Sequence, residues 1–205
     1  MNKEVLVSIY DREYSWIKKL NKDIRLSLYK KGDRMEMQPN EIFLSPNVGR
    51  DVHTFFNHLH ERYYSLSDYT FTCQDYFEDH VNNYIYIMNS NPAVWNEEAK
   101  QIIENECWFF STHHGLIYCE RDGSPHHPGL NITDMWNRLF KSEMPEHIYF
   151  TAAGHFCITA NQVRKRPPQF YKKIVDILAN EHIAPWIIER LEGYIFDSNY
   201  EIVDC

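Results

Sequence analysis

"YTFTCQDYFEDHVNN", residues Tyr69–Asn83, changes character halfway along its length. The run Tyr69–Cys73 is rich in β-branched and aromatic residues, which predicts a buried strand. Acidic and imidazole side chains then follow within a few positions: Asp75, Glu78, Asp79 and His80. Such a strand end is typical either of a solvated turn or of a site for a divalent cation, because hard cations prefer carboxylate oxygens.

Similar apolar runs precede this stretch. "VLVSI" at 5–9 and "IRLSLY" at 24–29 predict two further strands. "DVHTFFNHLHERYY" at 51–64 has its apolar residues at helical spacing, and a shorter helical pattern covers 16–20. Strands that alternate with helices predict an α/β fold with a central, mostly parallel mixed sheet flanked by helices.

The second half of the chain is less regular. A helix is predicted from Pro92, after Asn91, with Trp95, Ala99, Ile102 and Ile103 on one face. "GLIYCE" at 115–120, "HIYFTA" at 147–152 and "GHFCITA" at 154–160 predict strands, and two helices are expected after Pro168 and after Pro185. The irregular stretch at about 111–133 predicts a functional loop over a sheet end.

Composition narrows the class of protein. A chain of 205 residues with 43% hydrophobic residues can bury a substantial core, so a single domain over 1–205 is expected. The formal net charge of -8 argues against nucleic acid or an anionic membrane as the main partner. The sequence contains no run suited to a membrane span or a signal peptide. Its five cysteines, mostly in apolar surroundings, predict buried free thiols and a cytoplasmic location.

Polar side chains follow each predicted strand of the first half. The residues concerned are Tyr10, Asp11 and Arg12 after the first, Lys30 and Lys31 after the second, and Gln74, Asp75, Glu78, Asp79 and His80 after the third. Open α/β sheets bind ligands at the carboxyl ends of their strands. Asn47, Gly49 and Arg50 precede the first long helix, whose free amides favour phosphate. Together these residues predict a site for a nucleoside diphosphate bridged by a divalent metal.

Seven stretches of the chain resemble a known family. They are "VSIYDREYSWI", "LYKKG", "LSPNVGRDVHTFFNHL", "YTFTCQDYFEDH", "DGSPHHPGL", "AAGHFCITANQVRKRPPQFY" and "ERLEGYIF". In this order they resemble small GT-A-type glycosyltransferase domains, formerly labelled as a domain of unknown function. The chain is similar in size and pattern to the amino-terminal domain of a chlorella-virus glycosyltransferase. The most specific parts are "NVGR-x-x-HT" and "G-x-F-x-[IV]-[ST]".

The resemblance implies a GT-A-like nucleotide-diphospho-sugar transferase fold and a hexosyltransferase-like activity. It implies a sugar nucleotide donor, with a UDP-sugar favoured, a glycan or other hydroxyl acceptor, and Mn²⁺ or Mg²⁺ as cofactor. GT-A enzymes usually carry D-x-D at the strand end, whereas this chain has Cys73-Gln74-Asp75 and keeps only the last acid. Asp75 is therefore the expected metal ligand, with Asp79 and His155 as further candidates.

The same resemblance implies roles for other residues. Tyr10 would stack on the nucleobase and Asp11 would hydrogen-bond to it. The remaining donor-binding candidates are Arg12, Asn47, Arg50, Gln74 and His155. The candidates for a catalytic base are Asp79, Glu189 and Glu192. A viral source would place the protein in the host cytoplasm, and the chain end at Cys205 is compatible with a domain cut from a larger protein.

Two alternatives from other classes remain open at this point. One is a non-catalytic module that binds a sugar nucleotide or a glycan, favoured if the missing first Asp means that no metal binds. The other is a metal-dependent hydrolase in which the doublets His113-His114 and His126-His127 bind zinc.

Overall fold

The computed structural model describes residues 1–32, 41–43 and 47–204. Residues 44–46, which begin the third of the quoted stretches, and Cys205 lie outside the described residues. The strands are β1 (Lys3–Ile9), β2 (Arg25–Lys30), β3 (Glu41–Phe43), β4 (Tyr69–Gln74), β5 (Gln101–Ile103), β6 (Cys107–Phe109), β7 (Ile117–Cys119), β8 (Ile148–Phe150) and β9 (Phe156–Thr159). The α-helices are α1 (Arg50–Glu61), α2 (Tyr84–Asn89), α3 (Pro92–Glu98), α4 (Ile132–Leu139), α5 (Ala160–Arg164), α6 (Pro168–Asn180) and α7 (Ala184–Phe196).

The main sheet has the strand order β3-β2-β1-β4-β9-β6-β5. Strands β3, β2, β1 and β4 are parallel to one another, whereas β9 is antiparallel to both β4 and β6, and β5 is antiparallel to β6. A separate antiparallel pair, β7 and β8, lies beside α7. The prediction of an α/β fold with a mixed, mostly parallel sheet and flanking helices is confirmed.

Helices cover both faces of the sheet because the strands are apolar on both faces. Every residue of β1 is buried. Leu6 belongs to the core beneath α1, α6 and α7, whereas its neighbours Val5 and Val7 belong to the core beneath α2 and α3. Strands buried on both faces appear in sequence as continuous apolar runs, which is why "VLVSI" is recognisable.

One predicted helix is wrong in its extent. The helix that begins at Pro92 is capped by the side chain of Asn91, as expected, but it ends at Glu98. Ile102 and Ile103 belong instead to β5, which pairs with β6 through a tight turn. The turn residues Glu104 and Asn105 both have positive φ, of 48° and 56°. Pairing with β6 therefore overrides the helical spacing of the apolar residues.

The other features agree more closely with the sequence. Cys73, Cys107, Cys119 and Cys157 are buried free thiols, as predicted. The segment at 16–20 forms a short 3-10 helix, Ser15–Lys19. None of the helices in the described ranges has both the length and the apolar character needed to cross a bilayer.

Candidate functional site

A cavity of about 420 Å³ lies at the carboxyl ends of β1, β2 and β4. Its lining is Ser8, Tyr10, Asp11, Arg12, Lys31, Asn47, Arg50, Asp51, Gln74, Asp75, Tyr76 and Asp79. The parallel strands direct their carboxyl ends to one edge, so segments that are distant in sequence meet there. The structure thus brings together the predicted residues of the loop after β1, the turn before α1 and the end of β4.

Asp75 is the anchor of this site. Its carboxylate Oδ2 accepts hydrogen bonds from the backbone N–H groups of Tyr10 (2.8 Å), Asp11 (3.2 Å) and Arg12 (2.9 Å). Its Oδ1 accepts one from the N–H of Tyr76 at 3.0 Å. A carboxylate offers about four lone-pair sites, so these four donors use most of its capacity. Asp75 therefore fixes the loop after β1 against the end of β4.

Lys31 is a buried cation on the cavity wall. Its side chain is only 1% exposed. The ammonium donates to the carbonyl oxygen of Val48 at 2.6 Å and to that of Arg50. Burial lowers the pKa of Lys31 to about 8, against the opposing attraction of Asp51. Lys31 thereby joins the end of β2 to the turn that begins α1.

The turn before α1 is held in an unusual backbone conformation. Gly49 and Arg50 have φ values of 64° and 54°, both in the left-handed region. This conformation costs a non-glycine residue on the order of 1 kcal/mol. The Lys31 ammonium holds the carbonyl of Arg50, and the Arg50 guanidinium lies over the Trp186 ring at 5.2 Å. These contacts fix both ends of Arg50 beside the cavity.

The acidic residues of the cavity differ in how far their charge is already engaged. Asp51 accepts a hydrogen bond from the Gln74 side-chain amide at 2.6 Å. Asp11 lies 3.8 Å from the Arg12 guanidinium. Asp79 is 56% exposed, and its Oδ1 is 3.6 Å from Nε2 of His80. Burial lowers the pKa of His80, with Asp79 opposing, so Asp79 faces an imidazole that is largely neutral at pH 7.

Three predicted site residues lie off the cavity lining. His155 is fully buried, and its ring is 5.3 Å from that of Tyr84 and 5.8 Å from that of His80. Glu192 is 1% exposed, and burial, together with nearby Glu189 and Asp51, raises its pKa well above the usual range. Glu189 lies on α7, and its carboxylate Oε2 is 3.7 Å from the guanidinium Nη1 of the adjacent Arg190. Of the three candidates for a catalytic base, Asp79 is the one on the cavity.

Four lining residues were outside the predicted donor, metal and base sets: Ser8, Lys31, Asp51 and Tyr76. Lys31 was recognised as a polar residue after the second predicted strand, but it was given no specific role. Ser8 lies inside a strand and is oriented by a hydrogen bond between its Oγ and Thr54 Oγ1 at 2.9 Å. Asp51 lies next to Arg50, in the first turn of α1. Nothing in the local sequence separates these two residues from ordinary strand and helix positions.

The side chains of this site could hold a divalent cation only with the help of a bound ligand. Within the described ranges, no group of three or more His, Cys, Asp or Glu side chains is arranged to hold a metal ion. The histidine doublets lie within those ranges, and the ring centre of His127 is 5.6 Å from that of Trp186. However, the exposed carboxylate of Asp79 offers hard oxygen ligands. Magnesium-like cations are commonly held by one or two carboxylates together with substrate phosphates.

The fold and the cavity together define an α/β protein with an open mixed sheet and a polar site at its parallel strand ends. Residues 5–204 match the family described as "Protein of unknown function (DUF3431)". The match spans nearly the whole chain, and the chain belongs to this family. No match was found among curated proteins or among solved structures.

Proposed function

We propose that this protein is a glycosyltransferase that moves a sugar from a nucleoside-diphosphate donor, with UDP-sugars favoured, to a hydroxyl of a glycan acceptor. The observation that carries the proposal is the cavity itself. At the carboxyl ends of the parallel strands it collects cations suited to phosphate and carboxylates suited to a metal and to proton transfer. The resemblance in sequence supports the same class of reaction.

In this proposal the chain positions the donor through two segments. The loop after β1, fixed by Asp75, carries Tyr10 and Asp11 for the nucleobase. Tyr10 is 52% exposed, so its ring face is available for stacking. The turn before α1 presents Asn47 and Arg50 to the nucleoside and the diphosphate.

Asp79 is proposed as the residue that serves the reaction most directly. Glycosyl transfer breaks the bond from the anomeric carbon to the diphosphate, and negative charge develops on the departing oxygen. Asp79 would be the residue that holds a divalent cation, whose charge would neutralise the departing diphosphate. If Asp79 is instead the base, its exposed carboxylate would take the proton of the acceptor hydroxyl. Glu192 is less suited to that role, because it lies off the cavity lining and its burial raises its pKa, which disfavours the charged form that a base needs.

The test is a donor screen. Purified protein is incubated with each common sugar nucleotide, in Mn²⁺ or in EDTA, and released nucleoside diphosphate is measured. We expect release from one donor in Mn²⁺, with loss of about 100-fold or more in Asp79→Asn, in line with the removal of a general base or cation ligand. Glu78→Gln is the matched control, because Glu78 is also an exposed acid after β4 but does not line the cavity. Equal activity in both variants would remove Asp79 from the site.

A second candidate function is a non-catalytic sugar-nucleotide or glycan-binding module. The hydrogen bonds of Asp75 favour it, because a carboxylate engaged by four backbone amides has little capacity left for a metal. This alternative predicts nucleotide binding that is unchanged by EDTA and no release from any donor. The donor screen therefore separates the two candidates.

A further inference from the structure

We propose that Lys31 and Arg50 form an anion-binding pair that holds the donor diphosphate without any divalent cation. The inference rests on the proposed function for the identity of the ligand, a nucleoside diphosphate. In this proposal the positive charge that binds the diphosphate comes from the two side chains. A metal would then assist the transfer step but would not be needed to bind the donor.

The first argument is the placement of Lys31. A lysine that is 1% exposed is costly to fold unless its charge is compensated, and here two carbonyl oxygens accept from its ammonium. An ammonium has three N–H donors. Val48 and Arg50 accept two of them, and a phosphate oxygen in the cavity would accept the third. The cation is thereby held in position before any ligand arrives, which lowers the entropic cost of binding.

The second argument is the orientation of Arg50. Its guanidinium carbon lies over the Trp186 ring, 5.2 Å from the ring centre, and the residue lines the cavity. Guanidinium edges match pairs of phosphate oxygens. Arg50 also begins α1, a helix of 12 residues whose N-terminal amides carry partial positive charge of the same sign.

The third argument is the state of the competing carboxylates. The charge of Asp75 is compensated by backbone amides, that of Asp51 by the Gln74 amide and that of Asp11 by Arg12. Asp79 is the remaining carboxylate of the lining, and it is 56% exposed, so solvent screens its charge. The pair can therefore attract phosphate locally, although the chain as a whole carries a net charge of -8.

The experiment is calorimetric titration of the full chain with inorganic pyrophosphate in EDTA. We expect binding by the wild type, and a loss of about tenfold or more in Arg50→Gln and in Lys31→Met, as for the removal of one charge-assisted hydrogen bond. Arg164→Gln and Lys18→Met are the controls, because both residues are exposed and lie off the cavity. Thermal unfolding of each variant is measured in parallel.

If Lys31→Met does not fold, Arg50→Gln decides the question, because Arg50 is exposed and its substitution leaves the core unchanged. The inference is overturned if pyrophosphate binds only when Mn²⁺ is present, or if Arg50→Gln binds as tightly as the controls. Its failure differs from failure of the proposed function. Donor cleavage with strictly Mn²⁺-dependent binding rejects the pair alone, whereas binding in EDTA without cleavage of any donor rejects the transferase alone.

Discussion

Asp75 shows how a single residue changes meaning between sequence and structure. From the sequence it is expected to bind a metal, and in the structure it accepts hydrogen bonds from four backbone amides. It is 7% exposed. Removing its carboxylate leaves those amide donors without their partner in a largely buried place.

Asp75→Ala should therefore lower the free energy of unfolding by about 3 kcal/mol, because unsatisfied buried donors are costly. Urea denaturation of wild type and variant measures this loss. Glu78→Ala, an exposed acid on the same segment, should change stability by less than about 0.5 kcal/mol. Unchanged stability of Asp75→Ala, together with loss of metal binding, would make Asp75 a ligand instead of an anchor.

Glu192 gives a pH-dependent prediction. Burial raises its pKa well above the ordinary value of 4.5, so the folded protein holds a proton that the unfolded chain has released above that pH. Glu192 therefore does not lower the free energy of unfolding below about pH 4.5, where its carboxyl is protonated in both states. As the pH rises from there toward the folded pKa, the unfolded chain releases the proton more readily, and the free energy of unfolding falls.

Glu192→Gln should remove this loss, since a neutral amide of similar shape needs no proton. The melting temperature of the variant should equal that of wild type near pH 4 and exceed it by about 3 °C or more at pH 8. Glu189→Gln, one turn earlier on α7, should give a smaller gain, because it removes one of the charges that raise the Glu192 pKa but leaves the buried carboxyl in place. A difference in melting temperature between Glu192→Gln and wild type that does not change with pH would contradict the raised pKa of Glu192.

At the scale of elements, the start of α1 depends on Gly49. A Cβ at this position would lie 2.6 Å from Cβ of His53 and 2.8 Å from the carbonyl oxygen of Leu178. Gly115 has nearly the same φ, 62° against 64°, but a Cβ there would meet nothing within 4 Å. Alanine at Gly115 would therefore suffer backbone strain alone, whereas alanine at Gly49 would suffer the same strain and a steric clash.

Gly115→Ala should cost about 1 kcal/mol, the strain of a left-handed alanine alone. Gly49→Ala should cost about 3 kcal/mol, because α1 must also move away from α6. Chemical denaturation of both variants checks the difference. An equal loss of unfolding free energy in the two variants would show that α1 and α6 can move apart enough for the new methyl group without losing stabilising contacts.

The elements that the sequence predicts well are those with strong local patterns. β1, β2, β4 and α1 have long apolar runs or clear helical spacing. β5 and β6 were missed as strands because each has only three residues and their turn begins with Glu104 at positive φ. Hairpin turns of this kind usually contain Asn and Gly, so Glu104 hides the signal. The pairing with β9 that stabilises β6 is not local in sequence.

The site was predictable to the extent that it follows strand ends. Tyr10, Asp11, Arg12 and Asp79 were located by that rule alone and line one cavity. The sequence could not show that His155, Glu189 and Glu192 lie off the cavity lining. Their positions depend on how α7 and the turn before β9 pack against the sheet. Whether these residues contribute to catalysis stays a prediction.

At the scale of the whole molecule, the two halves of the chain share one sheet. β9 comes from the second half and pairs with β4 on one side and β6 on the other. Its residues Phe156 and Ile158 belong to one core, and Cys157 belongs to the other. Neither half can therefore unfold without opening the sheet in its centre.

We expect a single cooperative unfolding transition. Far-ultraviolet circular dichroism, which reports secondary structure, and tryptophan fluorescence, which reports both cores, should give coincident denaturation curves. Trp95 lies in one core and Trp136 in the other, so the difference between wild type and each Trp→Phe variant gives the signal of that residue in its own core. Two separated transitions would divide the chain into two domains.

The position of β9 also matters while the protein is being made. β1, β2 and β4 leave the ribosome well before Phe156–Thr159, so the edge of β4 that β9 later covers is at first an open row of amide and carbonyl groups. Such an edge pairs with any extended segment nearby. This edge stays open until the second half of the chain has been synthesised, and we expect chaperones that bind the nascent chain to protect it during that interval.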